Sequence, residues 1–167
     1  NRTLSYFRFR SACGLSPNPD TPAIERWLQT HRSECASICN FDLSDENNLL
    51  ELDLSTDGKH GVAMSGMESA KEFTQFIFDL MNQCGTAVGL GRYLEKRGVY
   101  KSAAFETVNP DERRDLHLGV DLFIAEDEPL YAPMDGIVEC LSEQSDVYDF
   151  GPVIILRHET DKGIPFW

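Results

Sequence analysis

The 167-residue chain is short of positive charge, of long apolar runs and of paired cysteines. Its 15 Lys and Arg stand against 28 Asp and Glu, a formal net charge of −13, so its field repels phosphate backbones and anionic lipid. Nucleic acid is therefore not an expected partner. No apolar run approaches the roughly 20 residues needed to span a bilayer, and the opening Asn1-Arg2, with Arg8-Phe9-Arg10, leads into no signal-like stretch, so no membrane partner is expected either. The five cysteines (Cys13, Cys35, Cys39, Cys84, Cys140) are odd in number and scattered, which fits a reducing, cytoplasmic compartment. Cys35-Ala-Ser-Ile-Cys39 has metal-like spacing, but no second Cys or His pair completes four ligands, and two half-buried thiols are expected there. With 8 Pro, 12 Gly and 41% hydrophobic residues the composition is that of a globular chain able to bury a core. The chain begins without Met and stops at Ile164-Pro165-Phe166-Trp167, within what reads as a strand, so both ends read as cut from something longer.

Thr21-Pro22 before Ala23-Ile24-Glu25-Arg26-Trp27-Leu28 predicts a helix over residues 22–33, capped by Thr21. Leu50, Leu52 and Leu54 alternate with Glu51 and Asp53, the period of a strand with one wet face, and Ser55-Thr56-Asp57-Gly58 closes it with a turn. Phe73, Phe76, Ile77, Leu80, Met81 and Cys84 share one stripe of a helix over 66–84, with Ser65-Gly66-Met67-Glu68 as its capping box and Gly85 as its left-handed stop. Beyond Gly85 the pattern changes to short β-prone runs: Leu130-Tyr131-Ala132, residues 137–141 and residues 153–157, divided by Asp135-Gly136 and Phe150-Gly151-Pro152. The expected architecture is α+β: a mixed leader over 1–85, a connecting segment over 86–112, and an antiparallel β module over 113–167.

One segment has a specific chemical look. In Arg113-Arg114-Asp115-Leu116-His117-Leu118-Gly119-Val120-Asp121 the imidazole and carboxylate stand four apart, and a bend at Gly119 lets both reach one metal ion. A buried His paired with an acid is the plainer alternative. Context adds to the chemical reading: the string His117-Leu-Gly-Val-Asp121-Leu-Phe, then Glu128-Pro-Leu-Tyr-Ala-Pro-Met-Asp-Gly-Ile-Val138, then Tyr148-Asp-Phe-Gly-Pro-Val-Ile-Ile-Leu-Arg-His158 resembles the lysostaphin-type zinc metallopeptidases in order and spacing. The resemblance covers about a third of the chain, residues 113–167. It implies the duplicated hybrid motif, a compact barrel-sandwich-like β fold, and a zinc-activated water that cuts peptide or small amide bonds. It also implies that His117 and Asp121 are two of three protein ligands to zinc, the third being the second His of a His-x-His segment that this sequence does not contain. The family's water-activating histidines have no counterpart here either, and His158 matches a position not used as a ligand. The expectation is zinc in the complete domain, a weak or absent metal site in this chain, and no hydrolysis by it alone.

The leader is similar to the linker of a larger fusion protein through Ser5-Tyr6-Phe7-Arg8-Phe9-Arg10-Ser11-Ala12-Cys13-Gly14, residues 22–28, Leu52-Asp53-Leu54-Ser55 and Gly89-Leu90-Gly91-Arg92-Tyr93-Leu94-Glu95-Lys96-Arg97. That resemblance implies neighbouring domains of the same polypeptide, a kinase-like phosphotransferase and a class III pyridoxal-phosphate aminotransferase, and a cytoplasmic setting. The alternative function is a non-catalytic binding or scaffold module in such a fusion.

Other signals weigh less. Gly85-Thr-Ala-Val-Gly89-Leu-Gly91 lacks either phosphate-loop pattern and is expected to be a turn-rich link whose Arg92, Tyr93 and Glu95 pack across the opening of the β module. Ala132-Pro133-Met134-Asp135-Gly136-Ile137-Val138 is similar to biotinyl and lipoyl carriers, yet no Met-Lys-Met turn is present; Asp135-Gly136 is expected to supply a positive-φ hairpin. Glu126-Asp127-Glu128, Asp146 and Asp149 read as solvated loop, His31 and His60 as surface histidines, and Trp27 and Trp167 as core.

Overall fold

A computed structural model describes residues 18–64, 67, 69–98, 116–143 and 151–167. The Ser5 to Gly14 segment, Cys13, the Arg113-Arg114-Asp115 run, Asp146, Asp149 and most of the Ser65 to Glu68 cap lie outside the described residues. In chain order the elements are α1 (Thr21–Thr30), a 3-10 turn (Arg32–Glu34), β1 (Leu49–Leu52), α2 (Lys59–Ala63), α3 (Ala70–Cys84), β2 (Val88–Gly91), β3 (Glu95–Lys96), β4 (Leu116–His117), β5 (Asp121–Phe123), β6 (Ile137–Glu143), β7 (Pro152–Glu159) and β8 (Pro165–Phe166). The chain is α+β and divides into two compact units, residues 37–131 and residues 1–36 with 132–167. Among the described residues no helix is long and apolar enough to cross a membrane.

The unit of residues 37–131 is built on a three-stranded sheet in the order β1-β2-β5, with β1 parallel to β2 and β2 antiparallel to β5. Leucine alternation sets its core, because Leu52 and Leu54 turn inward onto Ile77 and Met81 of α3 while Glu51 stays exposed. Helix α3 starts four residues later than expected. Ser69, not Ser65, is its cap, its hydroxyl accepting the Glu72 N–H at 3.2 Å. The same Ser-x-x-Glu spacing recurs at Ser69 and Glu72, and the later start puts Phe73 in the first turn, where its ring meets Phe123 of β5 edge-on at 5.8 Å. Gly85 ends the helix at φ 68°, as its sequence position predicts.

The segment after Gly85 is not a turn-rich link. Val88–Gly91 is the central strand of the sheet. Its glycines hide that fact from a propensity reading: a Cβ on Gly89 would stand 3.1 Å from both Leu52 Cδ1 and Met81 Sδ, so the small residue is required by helix-on-sheet packing rather than by a turn.

The other unit carries β6, β7 and β8 as an antiparallel sheet in that order, with a bulge between Val138 and Cys140. Strands appear at two of the three β-prone runs, residues 137–141 and 153–157, but Leu130-Tyr131-Ala132 forms none, since Pro129 and Pro133 on either side offer no N–H to a ladder. Asp135-Gly136 makes no positive-φ hairpin; Gly136 is small because a Cβ would lie 2.7 Å from His158 Nδ1. Helix α1 begins at Thr21, so Thr21 is helical rather than a cap, and Asp20 precedes it without a side-chain cap bond. Trp27 is half-buried, stacked on His31 with centroids 4.3 Å apart and tilted against Phe166 at 5.7 Å. Trp167 is exposed instead of core, as are Leu141 and Ile154.

Candidate functional site

In the unit of residues 37–131 the carboxyl ends of β1 and β2 lie side by side, Leu52 opposite Gly91. Open α/β sheets collect ligand chemistry beyond such strand ends. Here the next residue of each strand is charged, and Asp53 pairs with Arg92. Arg92 also reaches Glu95 at 3.3 Å and Glu51 at 3.8 Å. Leu94, at φ 59°, turns the chain between Arg92 and Glu95, and its N–H donates to the His117 carbonyl at 2.8 Å. The short ladder of β3 with β4 sets Glu95 opposite His117, while that of β2 with β5 sets Gly91 opposite Asp121.

These registers bring both sequence-predicted metal residues together. The chain leaves its strand geometry at 118–120, where Leu118 and Val120 are exposed, and returns with Asp121 Oδ1 3.3 Å from His117 Nε2. Both residues are half-buried. Burial, seconded by the Arg97 guanidinium, holds the His117 imidazole below its ordinary 6.5, against the pull of Asp121 and Glu95. A neutral imidazole is the form that ligates a metal.

Behind the pair stands a buried ion network that the sequence reading missed. Glu95 is 5% exposed and Arg97 8%. Arg97 Nε donates to Glu95 Oε2 at 2.9 Å, and Arg97 Nη1 to Asp121 Oδ2 at 2.5 Å. Glu95 Oε1 accepts the Leu54 N–H at 2.7 Å, which ties the network to the backbone just past β1. Arg92 and Glu95 therefore belong to an ion network, and Tyr93 is exposed rather than packed beside them. The signal was present in Glu95-Lys96-Arg97, a period of two in which the outer charges point inward and Lys96 outward.

His60 is buried, not a surface histidine: its Nδ1 accepts the Asp53 N–H at 3.0 Å, and burial, then Lys59, lowers its pKa. Ser55 donates its hydroxyl to Asp53 Oδ1 at 2.6 Å, the first cause of that carboxyl's lowered pKa. His31 is half-buried, its Nε2 3.5 Å from Asp161. His158 is buried, with Nδ1 2.8 Å from the Asp135 carbonyl. Cys35 is exposed and Cys39 buried, and among the described residues all cysteines are free thiols.

Tetrahedral zinc with ligand bonds of about 2.0–2.1 Å puts neighbouring N and O donors about 3.3 Å apart. The His117 and Asp121 donors have that separation and the right chemistry, so they fit one edge of such a site. A third donor is missing: among the described residues no group of three or more His, Cys, Asp or Glu is arranged to hold a metal. Comparison of the chain with protein-family models, with curated proteins and with solved structures gave no match.

Proposed function

We propose that residues 113–167 are part of a lysostaphin-type zinc metallopeptidase-like domain, of barrel-sandwich type, within a longer cytoplasmic polypeptide, and that His117 and Asp121 supply two of its metal ligands. The observation that carries this reading is the 3.3 Å approach of His117 Nε2 to Asp121 Oδ1. His117 and Asp121 would hold the zinc from one side, and in the complete domain it would supply water activation and carbonyl polarisation for cutting a peptide or small amide bond. The chain's own contribution is to keep the imidazole neutral by burial and to offer one carboxylate oxygen beside it. A kinase-like and a pyridoxal-phosphate aminotransferase neighbour in the same polypeptide complete the proposal.

The other three histidines, His31, His60 and His158, are each engaged elsewhere, so the chain alone holds zinc weakly and does not hydrolyse amides. A calorimetric zinc titration tests the reading. The expected result is one zinc per chain, weakened about tenfold or more by either His117→Ala or Asp121→Ala. Stoichiometric binding that survives both substitutions overturns it, and so does zinc-dependent amide hydrolysis by residues 1–167. The second reading, a non-catalytic binding or scaffold module, is favoured by the Arg97 contact on Asp121 Oδ2, which already neutralises that carboxylate.

A further inference from the structure

We propose that Arg97 is a positioning residue for the His117 and Asp121 pair, holding Asp121 Oδ2 so that Oδ1 stays turned to His117, and that Gly91 is the space its guanidinium needs. The inference rests on the zinc reading above and assigns it an outer shell. Two arms of the guanidinium are bonded and the third, Nη2, is buried without a hydrogen-bond partner among the described residues. Nε is bonded to Glu95 Oε2 at 2.9 Å, Nη1 to Asp121 Oδ2 at 2.5 Å, and Nη2 faces Gly91, where a Cβ would stand 2.8 Å from it and 2.9 Å from Asp121 Oδ2. Contacts under 3.0 Å force something to move, and here both neighbours are already fixed by ion pairs.

Glu95 is in turn anchored by the Leu54 N–H, so the planar fork of Arg97 transmits a position set at the end of β1 to a carboxylate on β5. Burying two opposite charges gains little stability over an apolar pair of the same volume. What the arrangement does supply is direction: carboxylates that ligate metals are themselves held by hydrogen bonds from outside the metal's own shell. Charge alone argues for the opposite effect, since a guanidinium beside the pair repels a divalent cation. The sign of the effect on zinc binding therefore separates positioning from simple electrostatics.

The experiment is zinc calorimetry on the full chain and on Arg97→Gln, Arg97→Lys, Gly91→Ala and Ile77→Ala, with folding checked by circular dichroism. Positioning predicts affinity weakened about 10–100-fold in Arg97→Gln and an intermediate loss in Arg97→Lys, which keeps the charge and one donor. Gly91→Ala, which changes neither ligand nor charge, weakens zinc in the same direction. Ile77→Ala, a core change, leaves zinc affinity unaltered. Unchanged or tighter binding in Arg97→Gln overturns the inference, as does an equal loss in Ile77→Ala. Should Arg97→Gln lose the fold, unchanged affinity in both Arg97→Lys and Gly91→Ala overturns it. Wild-type chain that binds no zinc defeats the proposed function along with this inference; binding that needs His117 and Asp121 but ignores Arg97 defeats this inference alone.

Discussion

The two units of the chain solve burial in different ways. Among the described residues every buried apolar side chain, Cys39, Leu52, Leu54, Ile77, Met81 and Val88, belongs to residues 37–131. The other unit buries His158 and Thr160 and leaves Ile137, Val138, Leu141 and Ile154 in the open. The first unit takes Glu95 and Arg97 out of water by pairing them with each other, with Asp121 and with the N–H of the core residue Leu54. In the other unit the buried polar groups are held singly, His158 by the Asp135 carbonyl and Thr160 by the Ile164 backbone.

Substitutions sharpen this contrast. The largest effect is expected from Glu95→Ala, which leaves the buried Arg97 with Asp121 as its remaining carboxylate and the Leu54 N–H without its acceptor, and costs about 3–5 kcal/mol in urea unfolding. A cost below about 1 kcal/mol, the range of an exposed ion pair, would show that the network is solvated. Next comes the core: Ile77→Ala costs about 2–5 kcal/mol, whereas Ile154→Ala on the exposed sheet changes stability by about 0.5 kcal/mol or less. Equal losses from the two would erase the distinction between the units.

The smallest effect is one of pH. His60 has its folded pKa below the ordinary 6.5, chiefly through burial. The unfolded chain then binds the proton more readily, so the His60 contribution is complete above the ordinary value and is lost as pH falls through the folded one. A nuclear magnetic resonance titration of the His60 ring is expected to give a midpoint under 6.5, and His60→Gln to flatten the acid limb of the stability profile. A midpoint at or above 6.5 contradicts the buried, hydrogen-bonded placement.

How much of this was legible in the sequence follows from which signals are local. The α3 stripe and the Gly85 stop are periodic or conformational and were readable, as were β1, β6 and β7. The β2 strand was not, because its glycines answer to Leu52 and Met81, partners 37 and 8 residues away in sequence from Gly89. The His117 and Asp121 pair was visible from its spacing together with the family resemblance of its surroundings, since the bend that closes it lies between them. Arg97 was invisible as part of the site because its role depends on the β2 and β5 register, which no local pattern records. The same holds for His60, whose partner is a backbone N–H seven residues earlier.

X-ray absorption spectroscopy of the zinc-loaded chain tests the central claim most directly. The account predicts a coordination shell of nitrogen and oxygen at about 2.0–2.1 Å with imidazole scattering that disappears in His117→Ala. Sulfur scattering at about 2.3 Å, or imidazole scattering that persists in that variant, would place the metal on cysteines or on another histidine and contradict it.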